Sequence, residues 1–223
     1  MEFLELLKTD RPVLLDGGMG TMLQARGLPV GATPELVALE HPDWLRDIHT
    51  AYLDAGSQII YANTFGANRE KLERTGRTVE EIVTAAVTVA KEAAAGRGLV
   101  ALDIGPCGQL LEPTGMLGFE DAVDLFAQVV RAGVKAGADL IAIETMTDLQ
   151  EARAALLAAK ENSNLPVLVT MTYEASGRTF LGCSPAAAAL TLEGLGADAV
   201  GVNCSLGPRE MPPLVEELLK WTT

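Results

Sequence analysis

The stretch Ala136-Gly-Ala-Asp-Leu-Ile-Ala-Ile-Glu144 contains the end of a helix, a glycine turn, a short apolar strand and a terminal carboxylate. Two other stretches follow the same pattern, Ala55-Gly-Ser-Gln-Ile-Ile-Tyr-Ala-Asn63 and Leu195-Gly-Ala-Asp-Ala-Val-Gly-Val-Asn203. A helix–turn–strand unit that recurs along a chain is typical of a (β/α) barrel. This weak internal repeat is therefore the first indication of the fold.

Outward from this stretch, apolar runs alternate with helical patterns along the whole chain. Strands are predicted over 12–16, 58–62, 99–103, 139–143, 166–171 and 198–202, and helices over 1–10, 34–55, 78–95, 120–136, 148–160, 184–194 and 213–221. The glycine-rich segment 17–21 is predicted as a turn that exposes backbone N–H groups. The alternation indicates a parallel sheet with right-handed crossovers, buried on both faces.

The fold class that follows is α/β, a TIM-type (β/α)8 barrel in a single domain over residues 1–223. A complete barrel of eight units needs ~250 residues. This chain has room for about six, so we expect a barrel truncated after about six β/α units, with its C-terminal units missing. A shorter open sheet is the alternative.

Composition excludes several classes of protein. The net charge of -13 disfavours nucleic acid and anionic membrane surfaces as partners. No apolar run approaches the ~20 residues of a transmembrane helix, and the N-terminus lacks the basic start of a signal peptide. Three scattered cysteines favour a reduced, cytoplasmic location over a disulfide framework.

Polar residues follow every predicted strand. They are Asp16, Asn63 with Thr64, Asp103, Glu144 with Thr145, Thr170 with Thr172, and Asn203 with Cys204. The carboxyl ends of parallel strands meet on one face, where α/β proteins bind ligands. Asp16 and Glu144 together suit a cationic group such as an α-ammonium, and the N–H groups of residues 17–20 suit a carboxylate. These features favour an amino acid as substrate, although strand-end carboxylates also serve as helix caps.

Cys204 has three interpretations on its own: a nucleophile, a metal ligand or a small buried side chain. A lone cysteine beside a strand is most often the last of these. Its neighbours Asn203 and Ser205, and its place on the same rim as Asp16 and Glu144, favour a functional role.

Five motifs at successive strand ends resemble the homocysteine S-methyltransferase family. They are Asp16-Gly-Gly-Met-Gly-Thr-Met22, Asn63-Thr-Phe-Gly-Ala-Asn68, Asp103-Ile-Gly-Pro106, Glu144-Thr145 and Gly201-Val-Asn-Cys204. The resemblance runs from about Leu14 to Cys204 and is strongest to the homocysteine-binding domain of the cobalamin-dependent methionine synthase type. Each motif is weak alone, but five in order are specific.

The resemblance implies zinc-dependent methyl transfer to the sulfur of homocysteine, which yields methionine. It implies Cys204 as a zinc ligand and Cys204, Glu144 and Asp16 as catalytic residues. It further implies a substrate-binding set of Asp16, Gly17, Gly18, Thr64, Glu144 and Asn203. Family members carry two more zinc-binding cysteines in a Gly-Gly-Cys-Cys motif. We expect these beyond Thr223, and we expect this chain alone to be inactive and without stably bound zinc.

The resemblance also implies methylcobalamin as the methyl donor, presented by a corrinoid-binding domain or protein. Betaine or S-methylmethionine is the alternative donor. Two other hypotheses stay open: a different barrel enzyme, such as an aldolase or a phosphate-binding enzyme, and a non-catalytic barrel fragment that acts in assembly. No lysine lies at a predicted strand end, which disfavours an aldolase. The oligomeric state is open.

Overall fold

The computed structural model describes residues 2–222 and confirms the α/β class. Its α-helices are α1 (Phe3–Leu7), α2 (Met19–Ala25), α3 (Val37–Glu40), α4 (Pro42–Asp54), α5 (Arg69–Leu72), α6 (Val79–Ala94), α7 (Phe119–Ala136), α8 (Leu149–Asn162), α9 (Pro185–Gly194) and α10 (Pro212–Leu219). Its strands are β1 (Ile59–Tyr61), β2 (Leu99–Ile104), β3 (Leu140–Met146), β4 (Val167–Met171) and β5 (Ala199–Val202). Within these residues, no helix is both long and apolar enough to cross a membrane.

The five strands form one parallel sheet in the order β1-β2-β3-β4-β5. The predicted first strand is reduced to a single parallel bridge between Leu15 and Ile59, beside β1. Spatial order therefore equals chain order, which is how a (β/α) barrel is built. A doubly wound sheet would instead reverse its strand order.

Alternate residues of each strand enter two different apolar clusters. Val100, Leu102, Ile141 and Ile143 belong to the large cluster that the strands form with the surrounding helices. The residues between them face the opposite side, where Leu99, Ala101, Leu140 and Ala142 pack with Phe3 and Leu6 of α1. Helix α1 thus covers the interior at the amino end of the sheet. Both faces are buried along β2 and most of β3, as the uniformly apolar strands predict, whereas the residues of β5 are only partly buried.

The internal repeat has a structural cause. In each unit the polar residue before the strand accepts a hydrogen bond from a backbone N–H of the preceding strand, or, for Gln58, of the extended segment beside β1. Gln58 accepts from Leu14 at 3.2 Å, Asp139 from Val100 at 2.8 Å, and Asp198 from Val167 at 2.8 Å. We call these three side chains the strand clasps. They fix neighbouring strands at their amino ends.

Most predicted helices are confirmed, and their caps agree with the sequence. Thr78 and Glu81 form the complete capping box of α6, and Gly137 ends α7 with a φ of 90°. Side chains of Asp148 and Ser184 accept N–H groups at the starts of α8 and α9. These local signals decide helix ends because each satisfies a backbone group that the helix leaves unpaired.

Other helix predictions were wrong. The helix predicted over 34–55 is broken into a 3-10 turn at Pro34–Leu36, then α3 and α4. His41 adopts a non-helical φ of -142° because it precedes Pro42, which begins α4. The turn predicted over 17–21 ends after Gly18, where α2 begins, and α5 was not predicted.

Candidate functional site

A cavity of about 550 Å³ lies at the carboxyl ends of the strands. Six of the predicted site residues line it: Asp16, Gly17, Gly18, Glu144, Asn203 and Cys204. A larger groove of about 900 Å³ lies on the outer surface along α6 and α7, away from the strand ends. Its walls carry charges of both signs, including the exposed Lys135–Glu80 ion pair, so it lacks the convergent chemistry of the strand-end cavity.

Asp16 is held at the rim by hydrogen bonds to and from β1. Its backbone N–H donates to the Ile59 carbonyl at 3.0 Å, and its Oδ2 accepts from the Tyr61 N–H at 2.8 Å. Burial, with a smaller contribution from the nearby charge of Glu144, raises the pKa of Asp16 to about 7 against the lowering effect of the Tyr61 N–H. The carboxyl is therefore poised to ionise when a cation approaches.

Glu144 reaches the cavity from an irregular part of β3. The register with β4 shifts between Ile143 and Met146, and Thr145 has a φ of 60°. A β-branched residue in the left-handed region is strained, and such strain collects at functional sites. The irregularity aims Glu144 inward, as β-bulges commonly do. Burial raises the pKa of Glu144.

Asn203 connects the ends of β3, β4 and β5 through its side-chain amide. Its Oδ1 accepts from the Thr145 N–H at 3.1 Å and from the Thr170 hydroxyl at 3.0 Å. Its Nδ2 donates to Glu144 Oε2 at 3.2 Å and to Thr145 Oγ1 at 2.8 Å. Asn203 therefore holds Glu144 in place from the neighbouring strand.

Cys204 is exposed, and its backbone conformation is unusual. Cys204 and Ser205 have φ values of 56° and 58°, both in the left-handed region. The Cys204 Sγ lies 3.6 Å from Thr145 Oγ1 and from Asn203 Nδ2. The interpretation of Cys204 as a buried filler is wrong, because the thiol opens onto the cavity.

The segment Gly17–Gly18 needs glycine for reasons of space. A Cβ atom at Gly17 would lie 2.9 Å from the Tyr52 hydroxyl oxygen, which donates to the Gly18 carbonyl at 3.3 Å. The backbone at this point is therefore exposed to the cavity and pressed against α4. Met19 and Gly20, the first residues of α2, also line the cavity.

Thr64 stands apart from the other predicted site residues. It is buried and is not among the residues that line the cavity. Its hydroxyl donates to the Asp103 carbonyl at 2.8 Å and accepts from the Asp103 N–H at 3.1 Å. The structure thus places Thr64 behind the cavity wall, against the backbone of Asp103.

Sequence reasoning missed two polar residues that line the cavity, Glu35 and Tyr61. It placed Asp103 at a strand end but did not include it among the substrate-binding residues. Asp103 is only 7% exposed and lines the cavity, and burial together with Glu144 raises its pKa well above the usual range. A period of two along β2, counted from Leu99 and Ala101, would have placed Asp103 inside.

The cavity is strongly acidic. Four carboxyl groups line it, those of Asp16, Glu35, Asp103 and Glu144, and no lysine, arginine or histidine among the described residues does so. Burial raises the pKa of Tyr61, and the charges of Glu144, Asp103 and Asp16 raise it further. Such a cavity favours a ligand that carries positive charge.

The described residues do not by themselves form a zinc site. Residues 2–222 contain no group of three or more His, Cys, Asp or Glu side chains arranged to hold a metal ion. Cys107 is buried with its thiol directed at the Gln109 carbonyl, and Cys183 directs its thiol at the Ser184 carbonyl. Burial raises the pKa of Cys107 to about 12, which opposes metal binding. Cys204 is thus the one cysteine that lines the cavity.

Comparison with known proteins identifies the family. Residues 13–223 match the sequence profile described as Homocysteine S-methyltransferase. Methionine synthase of Mycobacterium leprae is 29% identical over 97% of this chain and 20% of its own length. Methionine synthase of Mycobacterium tuberculosis is 30% identical over 91% of this chain and 18% of its own length. The chain thus spans about a fifth of the length of these relatives.

Solved structures show the same fold. The homocysteine methyltransferase MmuM from Escherichia coli superposes with a TM-score of 0.80 in its apo form, at 24% identity, covering 99% of this chain and 81% of that chain. Its metallated form gives a TM-score of 0.87 at 22% identity, covering 98% and 83%. The strand-end cavity, the match over nearly the whole sequence and the shared fold lead to one conclusion: the chain belongs to the homocysteine S-methyltransferase family.

Proposed function

We propose that residues 1–223 form a homocysteine-binding barrel domain that takes part in methyl transfer to the sulfur of homocysteine. The observation that supports this most directly is the cavity itself. Four carboxyl groups and no basic side chain of the described residues line it, and the exposed Cys204 thiol also opens onto it. An amino acid with a thiol has a cationic group and a sulfur to match these two features. The family membership and the methionine synthase relatives agree with this substrate.

In this proposal the residues of the rim bind and orient the substrate. Asp16 and Glu144 accept the α-ammonium, and the backbone at Gly17 and Gly18 receives the carboxylate. Asn203 fixes Glu144 and lies beside Cys204, so it sets the position of the carboxylate relative to the thiol. Binding of the ammonium compensates the charge of the two carboxylates, which stabilises their ionised forms.

The reaction requires a sulfur nucleophile. The substrate thiol gives up its proton to solvent water, and a sulfur electron pair forms a bond to the methyl carbon. The bond between that carbon and the donor breaks, and its electron pair stays with the donor. Orientation of the substrate by the rim residues contributes to the rate by holding the sulfur in line with the methyl group.

We propose Cys204 as one zinc ligand. A single thiolate does not make a zinc site. Since the described residues supply no further ligand set, zinc binding would need ligands from outside this cavity. We therefore expect residues 1–223 alone to bind zinc weakly and to turn over slowly or not at all.

We propose methylcobalamin as the donor, presented by a corrinoid-binding domain or protein, because the strand-end motifs resemble the cobalamin-dependent methionine synthase type and the relatives named above are methionine synthases. Betaine and S-methylmethionine are the alternatives. All three are tested on a longer protein that also carries the two expected zinc-binding cysteines, by adding each donor with homocysteine and zinc and measuring methionine. Formation of methionine from betaine or S-methylmethionine but not from methylcobalamin would overturn the donor assignment.

Substrate binding is tested by calorimetric or NMR titration of the 223-residue chain with L-homocysteine. We expect binding that Glu144→Gln weakens by about tenfold or more, since one charge-assisted hydrogen bond is lost. L-Glutamate, which lacks a thiol and adds a negative charge, is the control ligand and should not bind the acidic cavity. Failure of L-homocysteine to bind at any accessible concentration would sink the proposal.

A further inference from the structure

Asp103 has a hydrogen-bonding deficit that the rest of the fold does not explain. Its side chain projects from the end of β2 into the strand-end cavity and is more than nine-tenths buried. Its Oδ1 has no hydrogen-bond partner among the described residues. Buried carboxyl oxygens in native proteins almost always have a donor, so an orphaned one in a cavity wall indicates a missing ligand.

The other three carboxyl groups of the cavity differ from Asp103 in this respect. Asp16 accepts from the Tyr61 N–H, Glu144 accepts from Asn203, and Glu35 accepts from the Gly66 N–H at 2.7 Å. Each of them is therefore positioned in part by the protein. Asp103 is the carboxyl in this wall with a buried, unpartnered oxygen.

The backbone N–H and carbonyl of Asp103 are both fixed by one side chain. Beyond Tyr61, β1 leaves the sheet, and Asp103 loses the strand neighbour that would pair with its N–H and carbonyl. The Thr64 hydroxyl replaces both partners, since it accepts from the N–H and donates to the carbonyl. A single buried side chain thus holds Asp103 in the cavity wall.

We propose that Asp103 is a third carboxyl that binds the ammonium group of the substrate, and that Thr64 is the positioning residue that fixes it. An ammonium group has three N–H donors. Asp16, Asp103 and Glu144 all line this cavity, and they offer one acceptor to each. This inference rests on the proposed function, because it concerns how the same cavity recognises an amino acid.

The test compares two ligands that differ only in the amino group, L-homocysteine and 4-sulfanylbutanoate. Both are titrated by NMR into the 223-residue chain and into the variants Asp103→Asn, Thr64→Val and Thr64→Ser. We expect Asp103→Asn to weaken homocysteine binding about 10- to 100-fold, the loss of one charged hydrogen bond, and to leave 4-sulfanylbutanoate binding within about twofold. Thr64→Val should reduce the preference for homocysteine in part, and Thr64→Ser, which keeps the hydroxyl, should restore it.

Asp124→Asn, an exposed change on α7, is the matched control and should alter neither affinity. If Asp103 were only structural, its loss would weaken both ligands equally, and that result would overturn the inference. An unaltered protein that prefers homocysteine, with an Asp103→Asn variant that keeps the preference, would overturn it while leaving the proposed function intact. Binding of neither ligand to the unaltered protein would overturn both.

A measurement on the unaltered chain removes the dependence on variants that fold poorly. The ¹³C resonance of the Asp103 carboxyl carbon should shift on titration with L-homocysteine and stay in place with 4-sulfanylbutanoate. A resonance that moves equally with both ligands would contradict a contact with the ammonium group.

Discussion

Asn203 illustrates how one residue can set the geometry of a whole site. Both ends of its amide are occupied: Oδ1 accepts from Thr145 and Thr170, and Nδ2 donates to Glu144 and Thr145. An aspartate at 203 would lose the donating end and set a second charge against Glu144. The amide is therefore the chemical requirement at this position, and the carboxylate it positions is the functional consequence.

Asp16 should make the ligand-free protein less stable as the pH rises. Its pKa is about 7 in the folded protein and near 3.8 in an unfolded chain. A raised carboxyl pKa stabilises the fold below the unfolded value, and this stabilisation is lost as the pH rises through about 7. At 1.36 kcal/mol per pKa unit the upper bound is about 4 kcal/mol, and solvent access to this partly buried group reduces the expected effect to about 2 kcal/mol.

Asp16→Asn should therefore raise the free energy of unfolding at pH 8 by about 2 kcal/mol and change it little at pH 4. Urea denaturation at both pH values measures this. Asp10→Asn, a change at an exposed position outside the cavity, is the control and should leave the pH dependence unchanged. A variant at position 16 that loses stability between pH 4 and 8 as steeply as the unaltered protein would show that burial of Asp16 is not the cause.

The sequence identifies most residues of the rim, because a carboxylate or amide after an apolar run is visible without a structure. It does not show which of them are satisfied by the protein itself. Asp103 and Thr64 both lie at the ends of predicted strands. Asp103 faces the cavity, whereas Thr64 lies behind the cavity wall and bonds to the backbone of Asp103. Strands buried on both faces conceal the alternation that would have separated these roles.

At the scale of elements, two of the strand clasps, Asp139 and Asp198, combine a hydrogen bond to a backbone N–H with an ion pair. Asp139 accepts from the Val100 N–H at 2.8 Å and also pairs with Lys91, at 2.8 Å, although both side chains are partly exposed. In the same way, Asp198 accepts from the Val167 N–H and forms an ion pair with Lys160. The hydrogen bond to a buried N–H should contribute more than the partly solvated ion pair.

Asp139→Ala should consequently destabilise the protein by about 2 kcal/mol, because the Val100 N–H loses its partner. Lys91→Met, which removes the ion pair and keeps that hydrogen bond, should cost less than about 1 kcal/mol. Chemical denaturation of the two variants gives the comparison. Equal losses would mean that the ion pair, and not the clasp, holds the strands.

Helix prediction succeeded where capping side chains define an end, and it failed where proline or glycine allows two outcomes. Thr78 and Glu81 define the start of α6 without ambiguity. Pro42 interrupts an amphipathic pattern that otherwise continues through it, so periodicity alone predicts one helix. The glycines at 17–20 suggest a turn, but the tertiary contact of Gly17 with Tyr52 ends it early and lets α2 begin.

At the scale of the whole molecule, packing on the inward face of the sheet depends on α1. Phe3 and Leu6 are buried against Ile59, Leu99 and Leu140 at the amino ends of the strands. Leu4 lies on the other side of the same helix and is 43% exposed. The two leucines therefore form a matched pair for measuring what α1 contributes.

Leu6→Ala should lower the free energy of unfolding by about 2–3 kcal/mol, because it opens a cavity beneath the sheet. Leu4→Ala should lower it by less than about 1 kcal/mol. Thermal and urea denaturation would resolve the difference. If both variants unfold alike, α1 does not pack against the interior as described.

The inward faces of the strands have a graded composition from bottom to top. Along β2 they run Leu99, Ala101, Asp103, and along β3 they run Leu140, Ala142, Glu144. The lower rows pack in the apolar cluster with α1, whereas the top row lines the cavity. Top-row side chains can therefore change in evolution, and the ligand can change with them. The packed rows below stay the same, so a new specificity does not require a new core.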